Sequence, residues 1–267
     1  MTLDDKFAKL RGILRDMGSV LVAFSGGVDS TFLLKVAHDE LGDRAAAITI
    51  DAPFHSRFEV AEAVRLAAVL GVRHTLLDVH GMEIEGLSTN PTDRCYVCKK
   101  AVFTICSEKA RQGGGAILVD GSNADDINDY RPGRKALEEL AVRSPLLEAG
   151  LEKAEIRELS RRLGLETWDK PALACLLTRF PHGEAITAER LAMVERCEGY
   201  LRESGFGMFR VRAHGESARI ELTEADFPRM LQADVRAGVA AFFHQAGFRY
   251  VALDLEGYRC GAMNPAS

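Results

Sequence analysis

No apolar run in this chain approaches the ~20 residues needed to cross a bilayer, so no membrane-spanning segment is expected. The first residues, MTLDDKFAKLRGILRDM, also lack the unbroken apolar core of an export signal. Leu3, Phe7, Leu10, Leu14 and Met17 instead recur at helical spacing between charges. Both absences predict a cytoplasmic protein. Basic charge is not in excess: 34 Lys and Arg stand against 39 Asp and Glu, a net charge of −5. That argues against a broad nucleic-acid-binding surface and leaves room only for a local basic patch. Six cysteines in a 267-residue chain without an export signal do not read as a disulfide framework. Internal repeats and low-complexity segments are missing as well.

What is present is an alternation. Apolar strand-like runs at 20–24, 45–50 (AAAITI), 72–79 (VRHTLLDV) and 115–120 (GAILVD) are separated by helical patterns such as SRFEVAEAVRLAAVLG and AVFTICSEKARQ. LEKAEIRELSRRLG, 151–164, closes a further helix at its glycine. The pattern predicts an α/β fold, a doubly wound parallel sheet with helices on both faces and ligands at the carboxyl ends of the strands. Past Gly183 the rhythm changes to a helix at 187–204, strands in GMFRVRAHG and SARIEL, further helix and a last strand in RYVALDLE. We therefore expect two domains, 1–180 and a small α+β domain over 181–267.

The first strand runs into FSGGVDS and then a helical pattern. A glycine turn between strand and helix aims backbone N–H groups at an anion. Ser25, Gly26, Gly27, the following amides and Ser30 are suited to wrap a pyrophosphate. The loop lacks the lysine that follows the glycines of a Walker loop; Asp29 stands there instead. An aspartate repels phosphate, so its natural role is to hold Mg²⁺ bridging the phosphates. Gripping the β and γ groups of ATP as a leaving pyrophosphate exposes the α-phosphorus, which predicts an adenylated substrate. The acidic loop GSNADDINDYRPG follows the fourth strand, with Asp125, Asp126 and Arg131 as candidates for a second Mg²⁺ and a phosphate.

Cys95 and Cys98 form a C-x-x-C pair at the mouth of a helix, both sulfurs on one face, and Cys175 follows in DKPALACLLTRF. The pair suits zinc, a redox dithiol or an iron–sulfur site. Three thiolates without an evident fourth ligand suit a 4Fe-4S cluster with one iron open. Cys106 and Cys197 fall in helical apolar patterns and Cys260 lies outside any motif, so none of these three is assigned chemistry. Arg210 and Arg212 alternate on a strand and point the same way, as a phosphate clamp requires, although a solvated strand face shows the same alternation.

Strand–SGGxDS–helix resembles the PP-loop ATP pyrophosphatases over about residues 18–165. The blocks FSGGVDS, GSNADDINDYRPGR, KPALACLLTRFPHGEAIT, FRVRAHGESARIEL and LDLEGYRCGAMN resemble one branch of them end to end, the LarE family of ATP-dependent sulfur transferases. That resemblance implies adenylation of a carboxylate of pyridinium-3,5-biscarboxylic acid mononucleotide and its conversion to a thiocarboxylate, in making a nickel-pincer nucleotide cofactor. It places adenosine near Ile50 and Asp51, the substrate phosphate at Arg179, Arg210 and Arg212 with Thr178 beside them, and Glu198 near a metal. Asp226 is a weaker match. Thr178-Arg179 departs from the Ser-Arg of many relatives. Some family members sacrifice the thiol at the position of Cys175, whereas others carry a 4Fe-4S cluster on three cysteines; Cys95, Cys98 and Cys175 resemble the second group. A hexamer is implied too, and the sulfur source is unknown. The alternatives are the sacrificial route, a tRNA-thiolating enzyme, an ammonia-using synthetase and a nucleotide sensor.

Overall fold

The computed structural model describes residues 1–79, 84–127, 132–171 and 174–259. Two compact units make up the chain, Met1–His80 with Asp93–Leu173, and Gly81–Thr92 with Ala174–Ser267.

The first unit begins with α1 (Leu3–Met17), whose N-terminus is closed by a capping box between Thr2 and Asp5. There follow β1 (Val20–Ala23), α2 (Val28–Leu41), β2 (Ala45–Asp51), α3 (Arg57–Val69) and β3 (Arg73–Asp78). Next come α4 (Arg94–Gln112), β4 (Ile117–Val119), α5 (Pro132–Glu139), α6 (Pro145–Ala149) and α7 (Lys153–Arg162). The four strands are all parallel in the order β3-β2-β1-β4, as the alternation predicts. Crossovers carry the chain outward from β1 through β2 to β3, then back across to β4. The order reverses beside β1, the position at which sheets of this kind form a ligand crevice at the strands' carboxyl ends.

Helix α2 lies against this sheet with Phe32, Leu33, Leu34, Val36 and Ala37 buried, joined by Leu10 and Leu14 of α1 and Ile156 and Leu159 of α7. Apolar residues on nearly every side make α2 an interior helix, which anchors the helical turn that follows the loop. Helix α4 starts at Arg94, ahead of the AVFTICSEKARQ pattern, so the C-x-x-C pair falls in its first two turns.

In the second unit α8 (Ala188–Glu203) precedes β5 (Phe209–His214), β6 (Ser217–Leu222), α9 (Phe227–Met230), α10 (Ala233–Ala246) and β7 (Tyr250–Leu253). The sheet order is β5-β6-β7, with β5 and β6 antiparallel and β6 and β7 parallel. The sequence expectation set the change at 180/181; the second unit begins at Ala174 and takes in 81–92 as well. Buried Asn90 ties that segment in, donating from Nδ2 to the carbonyls of Phe180 (3.3 Å) and Pro181 (2.6 Å). The Gly183 N–H donates in turn to the Asn90 carbonyl at 2.8 Å. No helix among the described residues is long and apolar enough to cross a membrane.

Fully buried Phe32 tests the role of α2. Phe32→Ala is expected to cost about 3–5 kcal/mol in urea denaturation, and a loss below about 1 kcal/mol would contradict the packing described.

Candidate nucleotide site and an arginine cluster

The loop after β1 is held in a left-handed turn at Gly26, φ +68°, where a Cβ would sit 3.1 Å from the Ala63 Cα of α3. Only glycine fits, on both conformational and steric grounds. Ser25 and Ser30 close the turn: their hydroxyls are 3.1 Å apart, the Ser25 N–H donates to Ser30 Oγ at 3.3 Å, and Ser30 Oγ donates to the Gly27 carbonyl at 3.3 Å. The Gly27 N–H makes only a long contact, 3.4 Å to Ser25 Oγ. Gly27 is the N-cap of α2, so the helix dipole adds to the attraction for an anion.

Around this loop lies a cleft with about 1220 Å³ of empty space, its mouth included, lined by Ser25, Gly27, Asp29 and Ser30. Ile48, Ile50, Val60, Val102 and Phe103 give it an apolar wall suited to a flat base. Ile50 is buried, and its carbonyl accepts from His55 Nδ1 at 2.9 Å. Burial pulls the His55 pKa below its ordinary value, which leaves this cleft-lining imidazole neutral at pH 7. Asp51, at the end of β2, is ion-paired with Arg57.

The acidic candidates differ from expectation in their partners. Asp29, expected on Mg²⁺, is ion-paired with Lys153 Nζ, and Asn123 Nδ2 lies 3.5 Å from its other oxygen. Asp125 accepts the Lys153 backbone N–H at 3.0 Å and so caps α7. Asp126 is buried, accepts the Asn123 N–H at 3.0 Å and reaches the cleft. Arg131 lies outside the described residues. Asp29 and Asp126 thus offer carboxylates beside the loop, a donor set that suits Mg²⁺. The sequence reading missed three residues that brace the loop: Lys153, Lys170, whose Nζ donates to the Gly26 carbonyl at 2.9 Å, and Gly121. A Cβ on Gly121 would meet the Ser30 nitrogen at 3.1 Å.

The cysteines separate by environment. Cys95 is exposed and Cys98 half-buried on the cleft wall, both in the first unit; Cys175, half-buried, belongs to the second. Cys106 and Cys197 are buried, and desolvation pushes their thiols up to about 12, which makes them inert. Cys260 lies outside the described residues. Neither unit by itself, among the described residues, gathers three His, Cys, Asp or Glu side chains around a metal position. Among the described residues the accessible thiols are nevertheless the three that the sequence singles out, and soft thiolate donors suit an iron–sulfur cluster.

In the second unit Arg179, Arg210 and Arg212 are all buried. Arg179 grips Glu198 with two bonds (2.7 and 3.0 Å) and also donates to Thr178 Oγ1 and the Ala174 carbonyl. The second Glu198 contact expected from the sequence, a metal, competes with this pairing and with the Val211 N–H, which donates to Glu198 Oε1 at 3.0 Å. Thr178 Oγ1 donates to the Cys175 carbonyl at 2.7 Å. Arg212 is bidentate to Glu221 (3.0 and 2.9 Å) and donates to the Thr178 carbonyl. Arg210 donates to the Phe209 carbonyl and lies over the Tyr258 ring, 5.0 Å from its centre. Burial, then the positive charge of Arg179, pushes the Arg210 guanidinium below its ordinary value. Asp226 accepts from Thr223 Oγ1, away from any of these arginine contacts.

Comparison with known proteins bears on this geometry. Residues 19–103 match the family described as queuosine biosynthesis protein QueC. The chain is 41% identical over 266 residues to pyridinium-3,5-bisthiocarboxylic acid mononucleotide synthase of Lactiplantibacillus plantarum, covering 98% of this chain and 95% of that one. The chain belongs to the LarE family. It is an enzyme of the PP-loop ATP pyrophosphatase superfamily, and its role is sulfur transfer. An uncharacterised protein of Synechocystis is 43% identical over 263 residues, 98% of each chain. A glutamine-hydrolysing GMP synthase of Aeropyrum pernix is 28% identical over 217 residues, 73% of this chain and 41% of that one. For a LarE protein the buried arginines are held largely by carboxylates of the same unit. Arg179→Met is expected to cost about 3–5 kcal/mol, because it strands Glu198 as a buried charge, and adding Glu198→Met is expected to recover part of that loss. Equal loss in the single and double variants, measured by chemical denaturation, would contradict the coupling.

Proposed function

We propose that this enzyme adenylates a carboxylate of pyridinium-3,5-biscarboxylic acid mononucleotide and converts it to the thiocarboxylate. The observation that carries the reading is the glycine turn at a helix N-terminus in a chain similar, end to end, to the bisthiocarboxylic acid mononucleotide synthase. Ser25, Gly26, Gly27 and Ser30 hold the β- and γ-phosphates through backbone N–H and hydroxyl groups. Asp29 and Asp126 are the carboxylates that would hold Mg²⁺, which when bound would offset the negative charge of the phosphates. The apolar wall with Ile50 takes the adenine.

Chemistry then follows from charge. A carboxylate oxygen attacks the α-phosphorus, and the bond to pyrophosphate breaks with its electron pair leaving on the pyrophosphate. The resulting acyl-adenylate exchanges a poor leaving group, oxide, for a good one, AMP. A sulfur nucleophile adds to the carbonyl carbon, AMP departs, and the thiocarboxylate remains. Arg179, Arg210 and Arg212 supply the positive field that recognises the substrate phosphate, with Thr178 positioning Arg179 and the Cys175 carbonyl.

Cys95, Cys98 and Cys175 are the residues that would hold a 4Fe-4S cluster, which supplies, when bound, an iron free to carry sulfide. The accessibility of Cys95 and Cys98, against the inert Cys106 and Cys197, supports a role for the pair. The alternative, a sacrificial Cys175, gives that pair no task. Net charge of −5 speaks against the tRNA-thiolating reading.

With ATP, Mg²⁺ and the dicarboxylate nucleotide, anaerobically purified protein is expected to form AMP, pyrophosphate and thiocarboxylate. Formation of ADP would overturn the loop assignment. Iron and sulfide in the purified protein, lost in Cys95→Ala, are the expected result for the cluster. Iron-free protein whose Cys175 loses the mass of H₂S on turnover would replace it with the sacrificial route.

A further inference from the structure

The phosphate loop has no lysine of its own, yet one reaches it from far along the chain. Lys170 Nζ donates to the Gly26 carbonyl at 2.9 Å, across 144 residues of sequence. The contact is built in. Arg157 of α7 donates to the carbonyls of Trp168 (2.7 Å) and Lys170 (2.8 Å), and the Lys170 N–H donates to the Thr167 carbonyl at 3.1 Å. The lysine therefore projects from a pinned backbone.

Its acceptor matters because of peptide geometry. The Gly26 carbonyl and the Gly27 N–H belong to one planar trans peptide and point in opposite directions. A cation on the carbonyl therefore fixes the amide on the other side, and Gly27 lines the nucleotide cleft. That amide makes only the 3.4 Å contact to Ser25 Oγ within the loop. A glycine pair can turn its shared peptide over at little steric cost, so the loop's sequence alone does not secure the orientation.

We propose that Lys170 is a positioning residue for ATP: it clamps the Gly26 carbonyl so that the Gly27 amide faces the β- and γ-phosphates. The proposal rests on the nucleotide reading above and adds the residue that presets its loop. Glu59 and Glu62 of α3 and Glu166 also act on Lys170, and Arg65 opposes them; burial lowers its pKa below the ordinary lysine value. Partial burial keeps water from competing for the carbonyl and strengthens the charge-assisted bond. Because the clamp acts on the diphosphate end alone, it discriminates ATP from AMP.

Equilibrium binding of a non-hydrolysable ATP analogue and of AMP, to full-length wild type, Lys170→Met and Lys170→Arg, tests this. The methionine variant is expected to bind the analogue about tenfold more weakly and AMP within about twofold of wild type, since one charge-assisted bond is lost. The arginine variant keeps a donor and is expected to stay within about threefold for both ligands. Analogue binding unchanged in Lys170→Met, or analogue and AMP weakened alike, would overturn the lysine's role alone. Wild-type protein that binds neither nucleotide would overturn the functional reading and the proposal with it.

Discussion

One turn governs the catalytic unit: the left-handed step at Gly26 between β1 and α2. Its φ of +68° and its approach to Ala63 leave no room for a side chain. The hydroxyls of Ser25 and Ser30 close it, and the interior packing of α2 holds the amides of the first helical turn in place. In the proposed reaction this arrangement has a chemical purpose, since donors already aimed at the anion need no reorganisation when pyrophosphate charge develops. The sheet order places this turn beside the reversal point, where the loop after β4 comes against it at Gly121.

Cations around the loop come from elsewhere in the unit. A Walker loop carries its lysine in the helix start, committed to the γ-phosphate. In this LarE protein Lys153 pairs with Asp29 and Lys170 with the Gly26 carbonyl, both from the chain after β4. The charge of the loop's own acid is thereby compensated by Lys153. This division fits the proposed chemistry, in which the outer phosphates leave together and the inner one is attacked. The second unit follows another principle, in which Glu198 and Glu221 hold Arg179 and Arg212 buried in fixed geometry. In the proposed reading, the substrate phosphate would meet guanidinium groups whose orientation is already set.

How much of this was legible in the sequence depended on range. Strand–helix alternation, the glycine loop and the C-x-x-C pair near a helix start are local patterns, and each lies where the pattern puts it. The tie of 81–92 to the second unit rests on Asn90 reaching Phe180 and Pro181, a contact without a local signature. Lys153 and Lys170 act on residues 124 and 144 positions away, and nothing near them in sequence marks a phosphate loop. FRVRAHG reads equally as a solvated strand face, but all of β5 except His214 is buried. The reason is that Glu221 on the neighbouring strand neutralises Arg212, and Tyr258 covers Arg210. Asp125 reads in sequence as a phosphate or metal residue, and its acceptance of the Lys153 N–H comes from 28 positions away, so no local pattern marks it.

The central claim is that a carboxylate oxygen of the substrate becomes bonded to the α-phosphorus of ATP before sulfur displaces it. Oxygen labelling follows that atom directly. With ¹⁸O in the substrate carboxylates, the account predicts one ¹⁸O in each AMP released and none in pyrophosphate, read by mass spectrometry. AMP free of label, or label in the pyrophosphate, would contradict it.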